Sequence, residues 1–554
     1  MASQAHSRRY ALMLLAAVFI AVWFGNLEYH KLFRPDEGRY AEIAREMAVT
    51  GDWITPRLNG IKYFEKPPLQ YWVTAAAFKL FGEHHWTARL WPAVTGMLGV
   101  ALVFLAGRKL FGPAAGCYAA VVLASSAGYI GIGHMNTLDM GLTFFMTATM
   151  LAFLLAQREG ISPATRRRWM LAAWACAALA VLSKGPVGIV LPAAAVTIYA
   201  LLQRDSGLLR RLQWTAGIMI FLVIAAPWFV LVQHANPEFS KFFFIHEHFE
   251  RFLTESHRRV EPWWYFVRIL AIGLLPWVTL LPRALIRGWQ VSQPRRDFQP
   301  ARFLLAWTLF IFVFFSASGS KLPSYILPIL PALSLLIGLT LSEMATRALA
   351  WHAMSVLLIG LAVMALSPQA AARASETVPA FLYENYVPWI AAAGAAMVIG
   401  SSCAFFFCRL GKRGAALLGM GFGGLLATQL AITGHDVLSP SYSAFNLARD
   451  LKPHLAENTP FYSVRTYDQT LPFYIKRTVI LVAFQDELAY GLEHEPRLWL
   501  PDIPSFEHAW RSQPGALAIM EPQTHAELEK SGLPMQIVAR DLRRVVAKKP
   551  DAAR

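Results

Sequence analysis

Residues 8–25 read RRYALMLLAAVFIAVWFG: two arginines, then an uncharged apolar run from Tyr10 to Gly25. Runs of about 17–22 such residues cross a ~30 Å hydrocarbon core as a helix. The run is like a secretory signal, but Asn26–His30 follow with no small-x-small cleavage site, so it reads as an uncleaved anchor. The same pattern recurs at about 86–107, 114–133, 140–157, 169–182, 186–203, 214–233, 264–282, 303–317, 323–342, 351–366, 388–408 and 413–433, giving about thirteen spans. Composition agrees. Of 554 residues 56% are hydrophobic and 16% charged, against about 25% charged in a soluble protein, and mean hydropathy is +0.40. Disorder, collagen, coiled coil and an ordinary soluble enzyme are excluded; the chain reads as an α-helical polytopic membrane protein.

Every second connection is short and basic: Arg108/Lys109, Arg158 with Arg166–Arg168, and Arg204/Arg210/Arg211. The series continues with Arg283/Arg287/Arg295/Arg296/Arg302, Arg347, and Arg409/Lys412/Arg413. Such loops face the cytoplasm, together with the N-terminus. An odd number of spans puts the C-terminus outside. Two outer connections are long, about 27–85 and 234–263, and hold carboxylates, histidines and tyrosines.

The division predicted is 1–434 for the membrane part and 435–554 for a soluble periplasmic domain. From Asp436 onward 14 Lys/Arg face 15 Asp/Glu, so the net charge of +16 sits in the membrane part. Basic loops explain part of it and phosphate binding can explain the rest. No basic soluble module exists to carry nucleic acid. The soluble stretch shows apparent strands at Pro460–Val464, Thr478–Val482, Ala516–Met520 and Met535–Ala539, with a helix near Thr524–Lys530, which suggests a small α/β domain. Cys117, Cys176, Cys403 and Cys408 all fall in apolar blocks and make no metal or disulfide pattern.

The first outer loop opens RPDEGRY, residues 34–40. Asp36 stands where a helix N-cap belongs, and Tyr40, Ile43, Ala44, Met47 and Ala48 recur at helical spacing, with Arg39, Glu42, Arg45 and Glu46 opposite. The spacing predicts a helix lying on the outer membrane surface. Asp36 is then either a cap or a reactive carboxylate, and Arg39 either a headgroup anchor or a ligand contact. Farther on, Tyr63-Phe64-Glu65-Lys66-Pro67-Pro68 holds Lys66 extended before proline, and the prolines open a helix. Glu65 and Lys66 thus sit on a rigid corner.

Asp139, Lys184, Lys321 and Tyr325 lie singly at other outer ends of spans. Isolated lysines there run against the topology bias and are either snorkelling anchors or phosphate ligands. In the second loop His246 and Glu250 are four residues apart and on one helix face would suit a shared metal; no complete metal motif is present. Arg251 either holds phosphate or pairs with Glu247.

Asp36-Glu37 after the first span, the Tyr63–Pro68 block, the Asp139 turn and Lys321–Pro328 together resemble GT-C-type lipid-linked sugar transferases. The set is most similar to the bacterial lipid A aminoarabinose transferases, relatives of the protein O-mannosyltransferases. The resemblance covers roughly the first 430 residues. It implies transfer of 4-amino-4-deoxy-L-arabinose from undecaprenyl phosphate to a lipid A phosphate, at the periplasmic face of the inner membrane and among membrane lipids. It further implies Asp36, with Glu37 and Asp139, as the catalytic acids. Arg39, Tyr40, Tyr63, Lys66, Lys184, Arg251, Lys321, Tyr325 and Glu487 are implied to bind donor phosphate or substrate. Glu65 and His246 resemble a metal pair, with zinc as the metal implied. A hydroxyl-directed O-mannosyltransferase or a polyprenyl lipid transporter are the alternatives. The transporter is disfavoured because ionisable groups gather at outer span ends, not inside the spans.

Overall fold

The computed structural model describes residues 2–205, 207–244, 261–290, 298–456 and 458–550. Backbone polar groups in hydrocarbon must be satisfied within their own segment, and the apolar blocks accordingly fold as helices. The N-terminal elements are α1 (Ala2–Phe24), α2 (Asp36–Thr50), α3 (Leu69–Phe81), α4 (His85–Phe111) and α5 (Pro113–Ser125). They continue as α6 (Ala127–Gly133), α7 (Leu138–Ala156), α8 (Pro163–Lys184) and α9 (Val187–Gln203). Among the described residues eight helices are long and apolar enough to cross a membrane, or ten when each of two bent pairs counts as one span; Met13–Phe24 and Val187–Gln203 are shorter apolar helices.

The sequence shows each bent pair as one apolar span, at about 114–133 and 264–282. α5 and α6 meet at 61°, and Tyr265–Gly273 meets Val278–Trp289 at 114°. The two corners rest on each other. Ala127 N donates to the Leu275 carbonyl (3.0 Å), Trp277 Nε1 donates to Ser125 Oγ (2.9 Å), and a Cβ on Gly128 would lie 2.9 Å from Gly273 Cα. Irregular backbone at this depth is tolerated because protein, not lipid, satisfies it.

The last long helix, Arg413–His435, runs into a six-stranded sheet domain. Its strands are β3 (Phe461–Val464), β4 (Ile480–Val482), β5 (Trp499–Leu500), β6 (Leu517–Met520), β7 (Gln536–Arg540) and β8 (Val545–Lys548), after a small hairpin of β1 (Arg57–Leu58) and β2 (Ile61–Lys62). The order is β5-β4-β3-β6-β8-β7, parallel from β5 to β6 and antiparallel beyond. β3 and β6 are buried throughout, as parallel strands covered on both faces must be. The four strands expected from the sequence are there; β5 and β8 were missed. β8 was hidden because its apolar core, Val545–Ala547, lies between Arg543-Arg544 and Lys548-Lys549.

The second difference is larger. α2 forms as the periodicity predicts, yet its polar face does not meet water: Arg39, Glu42, Arg45 and Glu46 are all buried. Arg39 meets Glu487 of the sheet domain, and the same domain packs on the apolar face of the helix. Tyr40, Ile43, Ala44 and Met47 share one apolar core with Leu447, Phe461, Leu471, Phe473 and Leu481. Glu42 takes both Arg45 donors (2.7 and 2.6 Å), and Glu46 accepts from Gly60 N (2.9 Å). The contact is closest at Gly38, where a Cβ would stand 2.6 Å from Thr470 Cγ2 and 2.7 Å from the Gln469 carbonyl oxygen.

This predicts the sign of a substitution. On an open helix Gly38→Ala gains about 1 kcal/mol from helix propensity. Against the Gln469 carbonyl it instead loses about 1–3 kcal/mol by overpacking, and Gly38→Leu loses more. Thermal unfolding of the detergent-solubilised protein reads both.

Candidate active site

The floor of the site is a buried ion pair. Glu37, on the first turn of α2, receives Arg89 Nε (2.8 Å) and Nη2 (2.9 Å), Phe33 N (3.1 Å) and Asn136 N (3.0 Å). Arg89, on α4, also donates to the carbonyls of Leu27 (2.9 Å), His30 (2.5 Å) and Lys31 (2.8 Å). One guanidinium thereby ties the exit of α1, the start of α2 and the body of α4. Burial by itself raises the Glu37 carboxyl, but Arg89 overrides it and holds it at about 2. Burial, then Arg89, push the His30 imidazole down to about 3. Glu37 was expected to share the chemistry with Asp36; its carboxylate is fully engaged and faces away from solvent.

Asp36 is the first residue of α2, and no side-chain cap bond forms there; the cap position is Pro35. Its carboxylate meets Arg39 Nη1 at 3.2 Å and keeps 40% of its side chain exposed. Arg39, expected either as an anchor or as a contact, is buried and pairs on its other side with Glu487 from the sheet domain. Glu487 also accepts from Gln469 Nε2 (2.9 Å). Burial raises the Glu487 carboxyl, and Arg39 opposes the rise. The Arg39 guanidinium lies 5.9 Å from the Tyr40 ring and 6.0 Å from the Tyr63 ring. Burial raises the Tyr63 hydroxyl well above its ordinary value, so it stays a donor. Tyr63 Oη and Arg39 Nε have no hydrogen-bond partner among the described residues. Lys66 Nζ donates to the Glu65 carbonyl (2.9 Å), on the corner before α3.

A second acid–cation pair forms where two helices end. Asp139 lies in the first turn of α7 and Lys184 is the last residue of α8, each at the helix end whose dipole favours its charge. They meet at 2.5 Å, and Lys184 lies 5.4 Å from the Tyr325 ring. Asp36 is within electrostatic reach of Lys184. Lys321 donates to the Ser318 carbonyl (2.7 Å). Ser318 also ends an apolar groove of about 570 Å³ that runs between α9 and the helix Pro300–Ala317, lined by Ile198, Leu202, Leu309, Phe310 and Val313.

Asp36, Arg39, Tyr40, Tyr63 and Glu487 are thus brought together, as are Asp139, Lys184 and Tyr325. His246 and Arg251 lie outside the described residues. Glu65 acts electrostatically on Tyr40, Tyr63 and Glu487, and among the described residues no cluster of three His, Cys, Asp or Glu is placed to hold a metal. Sequence reasoning missed Arg89. Its one signal was a lone arginine near the outer end of an apolar block, against the topology bias.

The model of the dolichyl-phosphate-mannose-protein mannosyltransferase family matches residues 10–243, and that of the aminoarabinose transferase C-terminal domain matches residues 447–549. The undecaprenyl phosphate-alpha-4-amino-4-deoxy-L-arabinose arabinosyl transferase of Pseudomonas aeruginosa is 32% identical over 93% of this chain and 93% of its own length. The transferase of that name from Edwardsiella ictaluri is 34% identical over 63% of this chain, and there the chain spans 63% of the relative's length. Among solved structures, ArnT from Cupriavidus metallidurans bound to undecaprenyl phosphate superimposes with a TM-score of 0.93 at 38% identity, over 98% of this chain and 99% of that one.

Breaking the Glu37–Arg89 pair leaves a buried charge unmatched, so Glu37→Gln is expected to cost about 3–5 kcal/mol. The pH dependence carries the same signature. His30 and Glu37 are both depressed in the folded chain, so each favours folding above its ordinary value of 6.5 or 4.5. Wild-type stability therefore falls as pH drops below about 6.5 and falls faster below about 4.5. Glu37→Gln removes the second, steeper part, which thermal unfolding across pH 7 to 3 resolves.

Proposed function

The chain belongs to the lipid A aminoarabinose transferase family, and on that premise we propose that it transfers 4-amino-4-deoxy-L-arabinose from undecaprenyl phosphate to a lipid A phosphate. The reading places the reaction at the periplasmic face of the bacterial inner membrane, with 1–434 as the membrane body and 435–554 as the outer domain. One observation carries it. Beside Asp36, a partly exposed carboxylate that caps nothing, lie the buried cation of Arg39 and two donors, Tyr63 Oη and Arg39 Nε, that have no hydrogen-bond partner among the described residues. The apolar groove ends beside Lys321.

In this reading the groove takes part of the polyprenyl tail, and the carrier phosphate sits among Tyr63, Lys66, Lys184 and Arg251. The bond from the sugar's anomeric carbon to the carrier phosphate breaks, and the carrier leaves with the electron pair. A lipid A phosphate oxygen forms the new bond. Cations around the leaving phosphate stabilise its growing charge in a site with little water. An acceptor phosphate is already ionised near neutral pH and needs no general base. Asp36 therefore orients the reactants and counters positive charge developing on the sugar ring, while Asp139 positions Lys184. Glu37 acts through Asp36 as a positioning residue; Arg39, held by Glu487, presents Tyr40 and Tyr63 to the sugar.

A divalent metal, zinc by family resemblance, is part of the proposal, with Glu65 and His246 as ligands. The donor chemistry fits: carboxylate oxygen and imidazole nitrogen suit zinc, and Glu65 raises the Glu487 carboxyl electrostatically. Bound there it would tie the two outer loops together as a structural cross-link.

Two outcomes are expected of the transfer itself. Asp36→Asn lowers turnover about 100-fold or more with undecaprenyl phosphate binding nearly intact, and dephosphorylated lipid A accepts no sugar. Mass spectrometry of the lipid product reads both. Transfer to a dephosphorylated acceptor or to a serine peptide would make a hydroxyl the nucleophile and Asp36 its general base, as in an O-mannosyltransferase. Elemental analysis is expected to find a divalent metal in purified protein and to lose it in Glu65→Ala; metal-free protein whose activity ignores chelator removes the metal from the reading.

A further inference from the structure

Arg34 stands two residues before Asp36. It is half-buried, and its backbone N–H donates to the Tyr442 carbonyl (2.9 Å). Its Nε is buried without a hydrogen-bond partner, and its guanidinium makes no ion pair among the described residues. A second guanidinium approaches from the far end of the chain. Arg543, on the turn before β8, reaches the same corner: Ala444, two residues after the Tyr442 that holds Arg34, donates its N–H to Thr470 Oγ1 (2.8 Å), Thr470 is bonded to the Asp468 that pairs with Arg543, and Arg543 Nε is buried with no hydrogen-bond partner among the described residues.

The anchoring of Arg543 is visible in detail. Its Nη2 donates to Asp468 Oδ2 (2.9 Å), while Arg544 pairs with the same Asp468 and with Asp541 (2.5 Å). Asp468 Oδ1 accepts from Thr470 N (2.9 Å) and Oγ1 (2.6 Å). Thr470 Cγ2 packs on Gly38 of α2. The cluster is therefore fixed to the first turn of the helix that carries Asp36. Arg543 and Arg544 share Asp468 and Asp541 there, while Arg34 has no carboxylate among the described residues, and a partly desolvated cation left unmatched is costly unless an anion completes it.

We propose that Arg34 and Arg543 bind the phosphate of the acceptor lipid, so that the outer domain supplies half of the acceptor site. The inference rests on the transferase reading above and extends it. A phosphate-to-phosphate sugar transfer brings two anions to one carbon, one leaving and one attacking, and they cannot share one set of cations. Lys184 is engaged by Asp139 and Arg39 by Asp36 and Glu487; Arg34 has no such partner among the described residues. A planar guanidinium on each side of a phosphate allows paired, charge-assisted hydrogen bonds. This also gives the outer domain a role in the chemistry beyond covering α2.

The test uses full-length protein in lipid nanodiscs, with lipid A as acceptor and undecaprenyl phosphate as the carrier probe. Arg34→Ala and Arg543→Ala are each expected to raise the KM for lipid A about tenfold or more. The Kd for undecaprenyl phosphate should stay within about twofold of wild type. Arg34→Lys, which keeps the charge and loses the fork, should recover part of the loss. Arg34→Ala breaks no ion pair among the described residues, so it should keep the wild-type Tm and guards against misfolding of the Arg543 variant. An unchanged lipid A KM in Arg34→Ala overturns the proposal. So does a parallel loss of carrier affinity, which would move Arg34 to the donor side. A wild type that transfers no sugar to lipid A overturns the transferase reading itself, whereas normal transfer with indifferent variants overturns this inference alone.

Discussion

A single buried arginine organises the outer half of this molecule. Arg89 brings its charge into a place where desolvating an ion costs several kcal/mol, and it is tolerated because its donors meet Glu37 and three backbone carbonyls. Glu37 is satisfied in turn by Arg89, Phe33 N and Asn136 N. The consequence for the site is geometric. Successive residues on a helix project about 100° apart, so holding Glu37 inward turns its neighbour Asp36 outward, where 40% of its side chain is exposed. The engaged carboxylate and the open one are adjacent in sequence and opposite in environment.

The same economy appears in the outer domain. It is not a free module hung from the last helix. Its apolar residues complete the core under α2, its Glu487 holds Arg39, and its Asp468–Thr470 segment abuts Gly38. The candidate site is therefore assembled from the first outer loop, the ends of α7 and α8, and a domain that begins more than 390 residues after Asp36. Each part contributes charge that the others neutralise. In the proposed transfer, rigid placement of such charges before reaction would favour the leaving phosphate.

Lys184 and Lys321 were legible in the sequence because isolated lysines at the outer ends of apolar spans contradict the bias that places basic residues inside; Asp36 stood out at a helix start, and Asp139 and Tyr325 through the family resemblance. Arg89 was not legible, because it is embedded in an apolar block that hydropathy counts as one span. The corners at Ser126 and Leu275–Pro276 escaped for a related reason, since hydropathy reports composition and carries no direction. The polar face of α2 misled differently. Arg39, Glu42, Arg45 and Glu46 at helical spacing look the same whether water or a polar protein surface lies opposite, and only the packed domain shows that it is protein.

What the sequence determined by itself was the solvent of each segment. Lipid or water acts on every residue locally, so the apolar runs, the basic loops and the soluble C-terminal stretch record the membrane architecture directly, and the residue types at the outer ends mark where chemistry gathers. Which cation meets which carboxylate was decided only in the tertiary structure. Arg39 with Glu487, Lys184 with Asp139, and Glu37 with Arg89 join residues 45 to 448 positions apart, and a chain encodes such pairs only through the packing of everything between them.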